Sequence, residues 1–526
     1  MKRDFSLLTD KQFDLLICGG GVYGAWIAYD AALRGLRVAI MDQGDWACAT
    51  SSASSKLIHG GLRYLETCDF KLVRKALAER RRLLEIAPHR VWQLRFGVPV
   101  YADSRIGRSR LKAGLILYDF LARLSGAKRA GTDMTHRHFS IKTFCERFPF
   151  LKSNGLKGGF TYGDAQTDDA RLVLELVAGA MEAGAVCVNY CRVTGYIESD
   201  GKVSGATLQD MLDHGITQVS ARQFVSTSGQ WTAVSGPGRG WCRLSKGTHL
   251  VMPALPTDDA LLLTARSDGR VFFMIPWYGM TLLGTTDTDY HGDPEHLKVE
   301  AEEIAYLLTE ANRYIDKAWS ELDIIGSYTG LRVLKRSDTA SPSSISREWE
   351  LKTASNGVHY SIGGKITSAR EDAANIVNKV CAQLGVDVPC QTMSRHLPWA
   401  PEQEYPEWSV AIIARARELG VDQQSAAWLA RRHGKRAEEV LRMVEHEAKL
   451  AERIMPDLPF IYADLLYVAG NEMAEHLQDL VRRRMPLLIL AKLTDDDLDR
   501  IALAVAPVMN WDKDRISREV KSCSLQ

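Results

Sequence analysis

The chain has 526 residues, of which 46% are hydrophobic and 25% are charged, and its formal net charge is +1. A chain of this length exceeds one hydrophobic core, so we expect two or three domains, and the near-zero charge argues against nucleic acid as a partner. The ten cysteines contain no C-x-x-C pair. This usage is typical of reduced thiols in a cytoplasmic protein and predicts no metal site.

The first predicted elements contain a glycine-rich turn. Residues 15–17 form a continuous apolar run, as expected of a strand buried on both faces of a parallel sheet. Gly19, Gly21 and Gly24 follow with the spacing G-x-G-x-x-G. In this motif two glycines let the backbone approach a pyrophosphate, and the third lets the helix pack closely on the strand.

The elements after this turn complete a strand–helix–strand unit. The alanine-rich segment 25–32 predicts a helix that ends near Gly35, and its N-terminal amides are placed to hold a diphosphate. Residues 36–41 predict a second strand. Asp42 follows it, close to the spacing at which a carboxylate accepts hydrogen bonds from a ribose. The unit therefore predicts a bound dinucleotide.

The next stretch, residues 49–66, follows neither a helical nor a strand period. Its hydroxyls, cations and paired glycines suit a segment that lies against a cofactor ring and an anion. A serine-rich loop with solvated charges is the alternative. The candidate residues in this stretch are Ser51, Ser52, Lys56, Gly60, Gly61, Arg63 and Tyr64.

Residues 105–124 combine a basic start with an apolar end. Such a helix could lie on an anionic membrane surface, or it could face the core with a solvated basic start, and the pattern alone leaves both open. The cations are Arg105, Arg108, Arg110 and Lys112, and the apolar residues are Leu115, Ile116, Leu117, Phe120 and Leu121.

The later elements suggest an insert and a separate C-terminal domain. Residues 270–275 and 280–284 predict strands, and prolines between positions 389 and 406 indicate a domain boundary. Residues 409–420 and 422–434 have helical periodicity. The arginine run at 482–484 indicates a solvated or salt-bridged helix end.

The stretch 49–66 resembles the signature of the FAD-dependent glycerol-3-phosphate dehydrogenases that pass electrons to quinone, members of the glycine-oxidase-like flavoprotein group. Further motifs similar to that family follow in the same order along nearly the whole chain. They are Asp168-Asp169-Ala-Arg171, Lys246-Gly247-Thr-His249, Ile275-Pro276-Trp277, Gly284-Thr285-Thr286-Asp287, Gly330-Leu-Arg332 and Gly363-Gly364-Lys365-Ile-Thr367.

The resemblance implies an α/β fold with three parts. A Rossmann-like FAD-binding domain and an inserted antiparallel-sheet substrate domain would interleave over residues 1–395, and a helical domain would occupy residues 396–526. FAD is the implied cofactor. The implied FAD-binding residues are Gly19, Gly21, Gly24, Asp42, Ser51, Ser52, Lys56, Gly60, Gly61, Gly363, Gly364, Lys365 and Thr367.

The resemblance also implies a substrate site. Its residues would be Arg63, Tyr64, His249, Arg332 and Lys365, of which the last three would be catalytic. Independently, two guanidiniums, an ammonium and a phenol suit a phosphate dianion. The imidazole could accept the hydroxyl proton, or the Arg332 guanidinium could stabilise an alkoxide while another group takes that proton.

The implied reaction is hydride transfer from C2 of sn-glycerol 3-phosphate to flavin N5, with electrons then passed to quinone. Val333 and Ala369 stand where the family usually has proline and tyrosine. These smaller side chains leave open a longer polyol phosphate, such as erythritol phosphate. An amine or amino-acid flavin oxidase is a second alternative.

The resemblance has consequences for partners and location. Residues 1–10 contain no signal-peptide segment, and no apolar run reaches the length of a membrane span. We expect a cytoplasmic protein with a peripheral contact at the cytoplasmic face of the membrane, where quinone is reached. The oligomeric state is left open, with a homodimer as one candidate.

Overall fold

The structure is a computed structural model that describes residues 1–9, 11–125, 134–234, 236–336 and 348–524. The strands are β1 Gln12–Cys18, β2 Val38–Met41, β3 Leu57–Ile58, β4 Val91–Tyr101, β5 Arg137–Phe139, β6 Leu156–Thr167, β7 Val186–Val188, β8 Cys191–Ser199, β9 Lys202–Asp210, β10 Ile216–Ser226, β11 Cys242–Met252, β12 Ala260–Thr264, β13 Val271–Trp277, β14 Met280–Gly284, β15 Thr288–Tyr290, β16 Gly326–Lys335, β17 Glu350–Thr353 and β18 His359–Ile362.

The helices from α8 onward form a purely helical part of the chain, whereas the earlier helices alternate with strands. The helices are α1 Val22–Leu33, α2 Phe70–Ile86, α3 Arg108–Leu124, α4 Ile141–Arg147, α5 Asp169–Glu182, α6 Ala301–Asn312, α7 Ala369–Leu384, α8 Tyr405–Glu418, α9 Gln423–His433, α10 Ala437–His446, α11 Tyr462–Asn471, α12 Leu477–Asp479, α13 Leu487–Leu490, α14 Asp495–Met509 and α15 Lys513–Ser524. The expected C-terminal helical domain is confirmed.

The first sheet has a parallel centre. Strands run in the order β18-β10-β1-β2-β7, all parallel to their neighbours, and β17 joins β18 antiparallel at one edge. Helix α1 crosses between β1 and β2 and contacts α5 and α7. Because β1 and β2 are adjacent and parallel, the turn after β1 and the loop after β2 emerge at the same sheet edge. This is the predicted Rossmann-like layer.

The second sheet is mainly antiparallel and is built from the middle of the chain. Its strand order is β15-β11-β14-β13-β12-β4-β6-β3, with β16 paired to β11. The predicted strands at 270–275 and 280–284 correspond to β13 and β14. Residue His249 on β11 lies opposite Tyr328 on β16, and Ser245 lies opposite Arg332. The inserted antiparallel domain is therefore confirmed.

The C-terminal helices contact both sheets. Tyr278, in the turn between β13 and β14, stacks on Trp428 of α9 with ring centroids 3.9 Å apart. On the other side, the buried Arg171 of α5 forms an ion pair with Glu472 just after α11. The helical domain is thus joined to the rest of the protein by aromatic packing and by buried charge.

Tight packing at Gly24 generates a testable prediction. An added Cβ at Gly24 would lie 1.9 Å from the Gly19 carbonyl oxygen. Helix α1 and the turn would therefore have to move apart to accommodate a side chain at this position. We expect Gly24→Ala to destabilise the protein by about 2 kcal/mol or more, measured by denaturant unfolding.

Gly114→Ala is the matched control, since Gly114 lies inside α3 and a Cβ there would meet no atom within 4 Å. We expect this helix-interior variant to be neutral or to gain up to about 1 kcal/mol. Equal stability of the Gly24→Ala and Gly114→Ala variants would contradict the packing argument.

Candidate active site

One large cavity lies where the two sheets meet. Its volume is about 1040 Å³. The turn after β1, the loop after β2, strands β11 and β16, and residues 363–367 after β18 all contribute to its wall. The dinucleotide turn and the predicted substrate residues therefore face the same cavity.

The dinucleotide end of the cavity is built by the turn after β1. Gly19 has φ +112°, and a Cβ there would lie 2.6 Å from the Thr227 carbonyl oxygen. Glycine is thus required both for the backbone conformation and for the close approach. The amide of Val22, at the start of α1, donates to the Ser51 hydroxyl over 2.9 Å. Ser51 therefore lies at the helix N-terminus, where an anion is favoured.

Asp42 lies beside this turn at the end of β2. Its carboxylate accepts hydrogen bonds from the amides of Gly20 (2.6 Å) and Gly44 (2.9 Å). Burial raises the pKa of Asp42 to about 6, although the two backbone donors oppose the rise. The carboxylate lines the cavity, in the position from which it could accept hydrogen bonds from a ribose.

Three of the predicted substrate residues form a compact cluster. The Lys365 ammonium lies 3.7 Å from the centroid of the Tyr64 ring, and the Arg63 guanidinium lies 4.9 Å from it. Arg63 Nη2 also donates to the Tyr64 hydroxyl over 3.1 Å. Two cations thus lie beside one phenol, an arrangement that suits a phosphate or another anion.

The Arg332 side chain of β16 reaches the cavity over Gly247 of β11, which lies two residues beyond its cross-strand partner Ser245 and has no side chain. A Cβ at Gly247 would lie 2.3 Å from Arg332 Nη2, so the guanidinium occupies the space above that glycine. Nη2 donates to the Thr285 hydroxyl over 2.8 Å, and Nη1 donates to the Thr286 carbonyl over 3.1 Å. Asp287 lies 3.4 Å from Nη1 and partly balances the charge.

His249 is buried in the same wall. Its ring stacks on Tyr328 with centroids 4.8 Å apart, and Nε2 lies 2.8 Å from the Ser55 hydroxyl oxygen. Burial lowers the pKa of His249 well below its ordinary value, and the cations of Arg332 and Lys56 lower it further. A neutral imidazole can accept a proton, which an imidazolium cannot.

Most predicted site residues lie in the cavity wall, and four do not. Gly24 packs α1 on the turn, Gly60 packs against Tyr118 and Leu77, and the Ser52 hydroxyl donates to the Ala49 carbonyl. Lys56 differs most from expectation, since its buried ammonium contacts Asp169 at 2.6 Å. The predicted residues in the wall are Gly19, Gly21, Asp42, Ser51, Gly61, Arg63, Tyr64, His249, Arg332, Gly363, Gly364, Lys365 and Thr367.

Several polar residues of the wall were not predicted from the sequence. Ser55 and His59 lie within the signature stretch but were given no role there. Arg105, which the sequence assigned only to the basic start of a helix, lies in the loop before α3, and Arg270 lies just before β13. Arg270 Nη1 donates to the Asp287 carbonyl over 2.5 Å. The spacing of Arg105 and Arg270 in sequence carried no signal that they would meet at one cavity.

Comparison with known proteins agrees with this architecture. The fold and cavity are those of a dinucleotide-binding protein. A family model described as FAD dependent oxidoreductase matches residues 14–370, and one described as the C-terminal domain of alpha-glycerophosphate oxidase matches residues 390–516. The chain belongs to the FAD-dependent oxidoreductase family, and FAD is its cofactor.

The relatives are similar over almost the whole chain. A glycerol-3-phosphate dehydrogenase of Synechocystis sp. is 34% identical over 99% of this chain and 97% of its own length. The structure of the glycerol-3-phosphate dehydrogenase from Bacillus halodurans in complex with FAD is 28% identical, with a TM-score of 0.80 over 99% of this chain and 95% of that one. The L-alpha-glycerophosphate oxidase of Mycoplasma pneumoniae, 16% identical, shares the fold over 74% of this chain and 100% of that one, with a TM-score of 0.55.

The residues present fit FAD. The cavity volume of about 1040 Å³ is slightly above the roughly 300–1,000 Å³ range of ligand pockets, as a large ligand requires. A Cβ at Gly19 would collide with the Thr227 carbonyl, and one at Gly364 would collide with the Tyr23 hydroxyl, so glycine at both positions lets the segments of the wall pack closely. The helix N-terminus and Asp42 supply the groups that a diphosphate and a ribose require.

The low pKa of His249 predicts a pH effect on stability. The folded protein keeps His249 neutral where the unfolded chain protonates it, so proton uptake favours unfolding as the pH falls below about 6.5. Between about pH 7.5 and about pH 5.5, we expect the Tm of the wild type to fall further than the Tm of His249→Asn.

The exposed His291 provides the control for this measurement. His291→Asn should follow the wild-type Tm at each pH, because a substitution at an exposed position away from the core changes stability little. If wild type and His249→Asn lost the same Tm on acidification, the buried neutral imidazole would be contradicted.

Proposed function

We propose that the protein oxidises sn-glycerol 3-phosphate at C2 to dihydroxyacetone phosphate and passes the electrons to quinone. The observation that carries this proposal is the cluster of Arg63, Tyr64 and Lys365 in one cavity with the dinucleotide turn. The names of the full-length relatives support the same substrate.

The phosphate is proposed to bind at this cation cluster. Two cations beside one phenol provide several donors for an ester dianion, and the +1 charge of the whole chain means that the attraction is local. Binding energy from the phosphate would orient the rest of the substrate, so a small polyol could be held in one position.

The proton is proposed to leave the C2 hydroxyl for His249. When bound, the flavin supplies the two-electron acceptor for the hydride. His249 Nδ1 is buried without a hydrogen-bond partner among the described residues, whereas Nε2 faces Ser55, which lines the cavity. Nε2 is therefore the atom that we propose as the proton acceptor, with Arg332 stabilising negative charge on the oxygen.

The role of Arg332 can be tested by reduction kinetics. In Arg332→Ala, we expect anaerobic flavin reduction by glycerol 3-phosphate to slow about 100-fold or more and the substrate dissociation constant to rise, because both charge stabilisation and anion binding are lost. Arg332→Lys should recover part of the affinity and less of the rate, since it lacks the planar pair of donors.

Arg243→Ala is the matched control. Arg243 lies on β11 and pairs with Asp289, and its side chain is outside the cavity wall. In Arg243→Ala, we expect glycerol 3-phosphate to reduce the flavin at the wild-type rate. An unchanged rate and dissociation constant in Arg332→Ala would remove the assignment.

A longer polyol phosphate is the second candidate substrate. Val333 and Ala369 occupy positions where the family usually has proline and tyrosine. Val333 borders the cavity, whereas Ala369 is fully buried at the start of α7 and does not line the cavity. Only Val333 can therefore alter the substrate pocket directly. Comparing kcat/KM for glycerol 3-phosphate and erythritol 4-phosphate decides between the two substrates.

We also propose a peripheral membrane contact through α3. Leu115 and Leu121 are buried, but Ile116, Phe120 and Leu124 are between 51% and 55% exposed and follow one another at four-residue intervals. Helical spacing of four places them on one face, after the basic start of the helix. None of the described helices is both long and apolar enough to span a bilayer.

Vesicle binding tests this surface. Phe120→Glu should abolish cosedimentation with anionic phosphatidylglycerol vesicles at low salt, because it puts a charge on the apolar face and repels the lipid. Val410→Glu, at the 69% exposed Val410 of α8, should bind like wild type. Equal binding by both variants would exclude α3 as the contact.

A further inference from the structure

Three consecutive arginines of the C-terminal domain contact the rest of the protein, and two of them, Arg483 and Arg484, are buried. Arg482, Arg483 and Arg484 end a π-helical turn, Leu480–Arg484, after α12. The Arg482 guanidinium lies 5.7 Å from the Tyr328 ring, which stacks on His249. The other two reach towards the dinucleotide end of the cavity. Arg483 and Arg484 are ion-paired at the end of a helical turn, which is the salt-bridged helix end expected from the sequence.

Both remaining arginines bind one buried carboxylate, that of Asp45. Arg483 Nε contacts it at 2.5 Å, and Arg484 contacts it through both terminal nitrogens, with Nη2 at 2.9 Å. Arg484 also donates to the Glu472 carbonyl over 2.7 Å. Burial alone would raise the pKa of Asp45, but the two guanidiniums outweigh it and hold the pKa below its usual value.

Asp45 belongs to the loop at residues 43–50, which supports the dinucleotide turn. The Ala47 amide donates to the Gly20 carbonyl over 3.2 Å. The fully buried Trp46 lies directly against Gly20, where an added Cβ would be 2.3 Å from the indole ring. Trp46 Nε1 in turn lies 3.2 Å from the Met473 sulfur of the C-terminal domain. The loop is therefore held between that domain and the turn.

We propose that Arg483 and Arg484 are positioning residues for FAD. By fixing Asp45, they hold the 43–50 loop, and the loop holds Gly20 and Asp42 in the arrangement that binds the adenosine half of the cofactor. The C-terminal domain thereby contributes to cofactor retention without lining the cavity at this end. The inference depends on the cofactor and not on the identity of the substrate.

Asp45→Asn tests the proposal through FAD release. The purified holoprotein is diluted, and the return of free FAD fluorescence gives the release rate. We expect Asp45→Asn to release FAD at least about tenfold faster than wild type, because the loop loses its charged anchor. A wild-type release rate would overturn the proposal.

Asp464→Asn is the matched control. Asp464 is equally buried between two cationic or titratable partners, His433 at 2.6 Å and Arg432 at 3.5 Å, but all three lie within the C-terminal helices. The Asp464→Asn variant should lose thermal stability, as Asp45→Asn does. Its FAD release rate should stay within about twofold of the wild-type rate. Equal acceleration in both variants would mean that FAD release follows general stability, which contradicts the positioning role.

Arg483 supplies a milder pair of variants should Asp45→Asn not fold. Arg483→Gln leaves Arg484 in contact with Asp45, so we expect about threefold to tenfold faster FAD release, and Arg483→Lys should restore most of the loss. Unchanged release in Arg483→Gln would overturn the proposal. These measurements need no substrate, so they can fail while the proposed reaction stands, and the reverse also holds.

Discussion

The proposed chemistry depends on the placement of several cations around one cavity that also contains a dinucleotide turn. Arg63, Lys365 and Arg332 come from three separate segments of a chain whose net charge is only +1. Their local field can bind a phosphate dianion, and the Arg332 charge contributes to keeping His249 neutral. One electrostatic arrangement thus bears on both the proposed phosphate site and the proposed proton acceptor.

Buried ion pairs behind the cavity wall join the three parts of the protein. Lys56 and Asp169 link the signature stretch to α5, Arg171 and Glu472 link α5 to the C-terminal domain, and Asp45 links the 43–50 loop to two arginines of that domain. Breaking such a pair leaves an uncompensated charge, which is far more costly than losing a surface pair. The position of the cavity wall is therefore fixed by contacts that the ligands do not touch.

Much of the fold could be predicted because local patterns determine it. The G-x-G-x-x-G turn, the alanine-rich α1 and the acidic end of β2 follow from strand and helix periods, and the helices after residue 404 follow from theirs. Long-range contacts were not predictable in the same way. Lys56 was expected beside the cofactor, but the folded chain brings Asp169 to its ammonium. Similarly, the positions of Arg270 and of Arg482 to Arg484 in the sequence do not reveal which groups they bind. Residue type predicted the chemistry, whereas topology decided which groups meet.

The central claim is that the cation cluster orients a phosphorylated alcohol towards the cofactor. Anaerobic stopped-flow reduction of the holoprotein by glycerol 3-phosphate, compared with unphosphorylated glycerol at the same concentration, tests it most directly. The account predicts rapid flavin bleaching by glycerol 3-phosphate and a rate with glycerol lower by about a thousandfold or more, because binding energy from the phosphate is then absent. Equal rates for the two alcohols, or no bleaching by glycerol 3-phosphate or any other polyol phosphate, would contradict it.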